Sequence, residues 1–136
     1  MARLFVDTNI IVRAATGADA NCLNFLTRKT LQDSRITSLD ITREAYRILK
    51  GMGYTEQRIK EVMEFTSDNC IIAPKADKAK FGKYSLRDRG DVFVLEGALT
   101  QKCDYLVTED RKLLEDAKKY MKTATAKEAL RIMGEK

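Results

Sequence analysis

The feature that most restricts this chain is a rhythm of very short apolar runs, each followed by a longer amphipathic stretch. "RLFV" (Arg3–Val6), "RITS" (Arg35–Ser38), "CIIA" (Cys70–Ala73) and "YLVT" (Tyr105–Thr108) read as strands, and 121–124 is a candidate fifth. Between them the apolar spacing predicts helices over 9–15, 20–31, 40–50, 55–65, 77–86, 91–100, 111–120 and 126–133, with Asp40 as a cap. Gly17, Gly51, Gly53 and the single proline, Pro74, serve as stops. Four-residue strands alternating with helices make a parallel sheet covered on both faces. In such sheets ligands sit beyond the C-terminal edge of the strands, so acids at strand ends tend to converge there. The 136 residues suit one domain spanning 1–136, with no visible linker, repeat or low-complexity segment.

Composition removes several chemistries. Histidine is absent, so Ser-His-Asp and Cys-His pairs, HExxH zinc sites and histidine acid–base ribonuclease chemistry cannot be built. Cys22, Cys70 and Cys103 are scattered and odd in number, which argues against disulfides and zinc and for small core residues. No apolar run approaches the roughly 18 residues of a membrane span, and the N-terminus makes a poor signal peptide, so a cytoplasmic location and no membrane partner are expected. The net charge of +5 and pI near 9.1 favour an anionic partner, nucleic acid first.

Four carboxylates stand out. Asp7 follows the first strand and interrupts the apolar run "LFVDTNIIV". Glu44 lies three residues after Ile41 and four before Ile48, on the apolar stripe of its helix. Asp91 opens "DVFVLEGAL" on the buried face, with Asp88 able to share it; Glu96 is expected to point to solvent. Asp110 follows "YLVT" by two residues, and Glu109 beside it is expected to be exposed. Each has a structural explanation: Asp7, Asp91 and Asp110 as helix N-caps, and Glu44 paired with Arg47. Jointly, four acids in one cleft repel one another unless a cation intervenes. Hard oxygen ligands call for Mg²⁺ or Mn²⁺, which can activate water against a phosphodiester without histidine.

"FVDTNIIV", "ITSLDITREAYRIL", "RDRGDVFVLEGAL" and "CDYLVTEDRKLL", in that order, resemble the PIN domain from Leu4 to about Leu114. The resemblance implies a three-layer α/β/α fold with a short-stranded, mainly parallel central sheet of about four to five strands. It further implies a Mg²⁺- or Mn²⁺-dependent endoribonuclease acting on single-stranded RNA, as in VapC-type toxins with an antitoxin partner or in RNA-processing factors. Residue by residue, Asp7, Glu44, Asp91 and Asp110 match the family's acids, as catalytic residues and metal ligands. Thr108 matches a supporting hydroxyl, and Asn9 a polar residue that orders the first loop. Two positions depart from the pattern: Lys112 stands where some members carry a further acid, and "SLD" replaces a turn proline. A water nucleophile would leave 5′-phosphate and 3′-hydroxyl ends. Glu44 would bind the metal directly or through water, or orient the attacking water. The competing reading is a catalytically silent PIN module that binds RNA or a protein.

The segment "PKADKAKFGKYSLRDRG" (74–90) leads straight to Asp91. Its Lys78, Lys80, Lys83, Arg87 and Arg89, interleaved with Phe81 and Tyr84, suit a single-stranded phosphate backbone. The same residues suit a solvated helix face with aromatics in the core. The helices at 20–31 and 55–65 could cover the sheet, pack on each other or form a dimer face; a homodimer is the expectation.

Overall fold

A computed structural model describes residues 1–134 of the chain. Five strands, β1 (Arg3–Val6), β2 (Ser34–Ser38), β3 (Ile71–Ala73), β4 (Tyr105–Val107) and β5 (Lys122–Ala124), pair in parallel in the order β3-β2-β1-β4-β5. Between and after them lie α1 (Thr8–Thr16), α2 (Ala20–Thr27), α3 (Leu39–Gly51), α4 (Glu56–Asn69), α5 (Val92–Thr100), α6 (Arg111–Asp116) and α7 (Ala126–Gly134). Leu4 and Phe5 point to opposite faces of the central strand, and both are fully buried, so helices cover the sheet on both sides. This is the α/β/α arrangement that the strand rhythm predicts, with all five strands present.

Strand order fixes where a site can form. The chain winds outward from β1 through β2 to β3, then crosses back to β4 and on to β5. The connections after β1 and β4 therefore part in opposite directions, which opens a crevice at the C-terminal ends of these two neighbours. Asp7 and Asp110 follow those two strand ends.

Several boundaries differ from expectation, each for a local reason. α2 stops at Thr27 instead of 31, and Leu31 lies in open solvent. The Arg35 guanidinium donates to the carbonyls of Phe25 (3.1 Å) and Arg28 (2.9 Å) at the end of α2, and to that of Asn69 (3.1 Å) at the end of α4. One arginine thus satisfies the terminal carbonyls of two helices. α3 is capped by Ser38, whose Oγ accepts from the Ile41 N–H, while Asp40 sits in the first turn. Thr55 caps α4, which runs four residues beyond 65. The 77–86 region is no α-helix: Asp77 caps a 3-10 turn over Lys78–Lys83, and Tyr84 is extended. α5 starts at Val92, and Asp91 ends a 3-10 turn over Arg89–Asp91. The 111–120 helix is split into α6 and a 3-10 turn at Ala117–Lys119.

Glu96 is the clearest correction. It is not solvated but 1% exposed, because α5 is enclosed over most of its circumference and Val92, Val94, Leu95 and Ala98 are buried with it. Its carboxylate accepts the Tyr84 hydroxyl (2.9 Å) and the Thr100 hydroxyl. Glu109 is half-buried, since one carboxylate oxygen accepts the Ala126 N–H (2.8 Å) at the start of α7. Cys22 and Cys70 are buried and Cys103 half-buried, all as free thiols.

Candidate metal-binding site

Asp7 sits at the end of β1 because its backbone N–H still pairs with the sheet, donating to the Val107 carbonyl at 3.0 Å. Its side chain then turns into the crevice. One carboxylate oxygen accepts the Thr8 N–H (2.6 Å) and caps α1. The other accepts the Thr108 hydroxyl (2.7 Å) and the Asn9 side-chain amide (3.3 Å). Capping and burial are therefore not alternatives at this position. Asp7 is 5% exposed, and burial pushes its carboxyl up to about 6 against the pull of Thr108 and Thr8, with Glu44 and Asp110 adding repulsion.

Thr108 and Asn9 tie together the loops that follow β1 and β4. Thr108 Oγ accepts from the Asn9 amide (3.0 Å) and the Asp110 N–H (3.1 Å), while Asn9 Oδ1 accepts the Glu109 N–H (3.0 Å). Asp110 caps α6 through the Lys112 and Leu113 N–H groups (2.9 and 3.4 Å). Asp91 makes no cap hydrogen bond, so the capping explanation fails for it. Its carboxyl is pushed up to about 7 by burial first, then by Asp7, Asp88, Asp110 and Glu44. Glu44 is half-buried, and among the described residues no ion pair joins it to Arg47.

A cleft of about 240 Å³ brings the four acids together, lined also by Thr8, Asn9, Val12, Arg13 and Ile48. Thr8 and Arg13 carry no distinguishing signal in the sequence. Thr8 Oγ is buried in the cleft wall and has no hydrogen-bond partner among the described residues, which is uncommon for a buried hydroxyl. An all-oxygen donor set, two carboxyls driven upward by burial and by neighbouring acids, and an unpartnered hydroxyl fit a hydrated Mg²⁺ or Mn²⁺. The cleft is wider than one inner coordination sphere: among the described residues, the trio whose ligand atoms all lie within 4.8 Å of one another is Asp19, Cys22 and Glu109. Mg²⁺ retains several waters and takes one or two carboxylates directly, so the wider cleft is the better match. In the trio, the Cys22 thiol is pushed up to about 12 by burial and hydrogen-bonds Asp19, which makes it an internally satisfied neutral group.

The basic segment distributes differently from the expectation. Lys78 borders a second cleft, beside Arg43 and Arg47 of α3. Lys80, Lys83 and Arg89 are exposed and line neither cleft. Arg87 is paired with Asp116 (3.0 Å) and Glu115 (2.9 Å) on α6, so its charge is partly offset within the protein.

The model of the PIN domain family matches residues 3–112. The chain belongs to the PIN domain family. Solved structures agree with this at the level of fold. The VapBC2 complex from Rickettsia felis, bound to a DNA fragment from its promoter, matches with a TM-score of 0.70 at 12% identity, covering 90% of this chain and 98% of that one. VapBC-1 from nontypeable Haemophilus influenzae matches with a TM-score of 0.66 at 15% identity over 91% and 98%. A toxin–antitoxin complex from Klebsiella pneumoniae matches with a TM-score of 0.64 at 18% identity over 90% and 97%. No curated protein matches in sequence. Among the described residues, no helix of this PIN domain is long and apolar enough to cross a membrane.

Proposed function

We propose that this PIN domain is a divalent-metal-dependent endoribonuclease that hydrolyses single-stranded RNA. The observation that carries the reading is the meeting of Asp7, Glu44, Asp91 and Asp110 in one cleft at the switch between β1 and β4. Asp7, Asp91 and Asp110 would hold Mg²⁺ or Mn²⁺. When bound, the ion supplies Lewis acidity toward a phosphodiester oxygen and eases deprotonation of water. Glu44, in the same cleft, would hold the ion directly or through water, or would orient the attacking water. Thr108 and Asn9 keep Asp7 in one orientation. With no histidine in the chain and no nucleophile other than water invoked, the products carry 5′-phosphate and 3′-hydroxyl ends.

Two partner assignments accompany this reading. An antitoxin partner is supported by the structural likeness to the toxin–antitoxin complex from Klebsiella pneumoniae. A second copy of the chain is supported by apolar side chains left in solvent, among them Leu23, Leu39 and Met52. Light scattering tests the dimer, and a monomer mass rejects it.

The deciding experiment is cleavage of a mixed single-stranded RNA with Mg²⁺ or Mn²⁺, with EDTA and Asp7→Asn as controls. Cleavage lost in both controls supports the assignment. A folded, metal-binding protein that leaves RNA intact, or products ending in 2′,3′-cyclic phosphate, rejects it.

A further inference from the structure

A second cleft, of about 340 Å³, adjoins the four-acid site and shares Glu44 with it. Its walls come from three separate places. α3 contributes Arg43 and Arg47, the segment after β3 contributes Lys75, Lys78 and Phe81, and α5 contributes Phe93. Since β2 lies beside β1 and β3 beyond it in the sheet, the two clefts run side by side along the same C-terminal edge. α5 links them directly: Asp91, just before it, lines one cleft and Phe93, two residues on, lines the other.

The charges here are not spent within the protein. Among the described residues, none of Arg43, Arg47, Lys75 and Lys78 forms an ion pair or a side-chain hydrogen bond. Asp40, which also lines the cleft, is engaged elsewhere. Its carboxylate accepts the Ser38 hydroxyl and the Ala76 N–H (3.0 Å), which pins the segment after β3 against α3. Arg43 and Arg47 stand at i and i+4 on one helix face, where like charges repel. Helix stability alone favours dispersing them. Two half-buried phenylalanines open beside these cations. Cations for phosphate oxygens and aromatic faces for bases are the two components of a single-strand binding site.

We infer that this cleft is a nucleotide subsite, which seats one base of a single-stranded RNA against Phe81 and Phe93 and its flanking phosphates on Arg43, Arg47, Lys75 and Lys78, adjacent to the bond that is cut. The inference rests on the ribonuclease reading for the word "cut", but its binding chemistry stands separately. The volume suits one unstacked nucleotide. Arg43 and Arg47, on α3, thus join Lys78 as contacts to the backbone, in place of Arg87.

The test measures affinity by fluorescence anisotropy, with a labelled single-stranded RNA of mixed sequence in EDTA, so that metal-dependent cleavage does not interfere. The Arg43→Ser/Arg47→Ser double variant changes two exposed residues, and its fold is checked by thermal melting. Loss of two phosphate contacts should weaken binding by at least about tenfold and lower the slope of log affinity against log salt by about 1.4. Phe93→Leu should weaken binding roughly 5-fold or more while leaving the slope unchanged. Unchanged affinity and slope in the double variant overturn the subsite, as does a polyglutamate peptide that binds the cleft more tightly than RNA and so marks it as a protein's site. Parallel cleavage assays separate the two readings. Cleavage by the parent with unaltered binding in the double variant removes the subsite alone. Binding lost in the double variant, in a protein that never cleaves, removes the nuclease alone.

Discussion

At the scale of single residues, Asp91 has few obligations to the fold. It makes no cap hydrogen bond, and its carboxyl is raised to about 7 by burial and by the acids around it. In the metal-free protein the folded state therefore holds a proton that the unfolded state has released between about pH 4 and pH 7. The stability that this one carboxyl contributes is full below about pH 4 and is lost as pH rises through about 7. Asp91→Asn removes this penalty. At pH 8 without metal it should stabilise the protein by about 1 kcal/mol, discounted for the solvent that reaches half of the side chain, while abolishing cleavage. Urea unfolding at pH 4.5 and 8 reads the difference, and an Asn variant less stable at pH 8 contradicts the assignment. Thr108 behaves oppositely. Its hydroxyl donates to Asp7 and accepts from Asn9 and the Asp110 N–H, and it is fully buried. Thr108→Val keeps the shape and strands those groups, at a cost of about 1–3 kcal/mol. It should also push the Asp7 carboxyl further up, visible by carbon NMR of that side chain. An unshifted Asp7 would show that Thr108 does not govern it.

At the scale of elements, the helix α5 shows a local rule overridden by packing. Gly97 lies within the helix, where alanine is ordinarily better by about 1 kcal/mol. A Cβ there would meet Phe5 Cζ at 2.7 Å, and Phe5 is fully buried in the central strand. Gly97→Ala should destabilise the protein by about 1–3 kcal/mol, the usual cost of overpacking, and thermal unfolding checks the sign. The same helix explains where the sequence misleads. Its apolar spacing predicts an inner face for Asp91, which is half-buried at the cleft, and a wet face for Glu96, of which α5 has almost none. Glu96 instead receives Tyr84, whose phenol is pushed up to about 12 by burial and this carboxylate. That contact ties the segment after β3 to α5, and a partner twelve residues away leaves no periodic trace. The strands and most helices were legible because each repeats a pattern over its own length. The end of α2 was not, because Arg35 on the following strand sets it.

At the scale of the molecule, the parallel order β3-β2-β1-β4-β5 converts four acids scattered from position 7 to position 110 into one cleft. Their approximate convergence follows from strand ends, which the alternating pattern reveals. The side-by-side placement of a cation-lined cleft does not, since Arg43 and Arg47 look like any solvated helix face until the segment after β3 folds against them. On the proposed reading, the assembled acids would couple metal binding to the stability of the whole domain. An ion that binds the folded cleft and not the open chain stabilises folding by about 2.7 kcal/mol at a hundred times its dissociation constant. For a domain of this size that corresponds to a rise of roughly 10 °C in melting temperature. Titrating Mn²⁺ or Mg²⁺ at pH 8 and constant ionic strength should raise Tm continuously with the logarithm of concentration, and Asp91→Asn should lose most of the rise. An equal rise in that variant would place the ion elsewhere, and the trio of Asp19, Cys22 and Glu109 would be the first position to mutate.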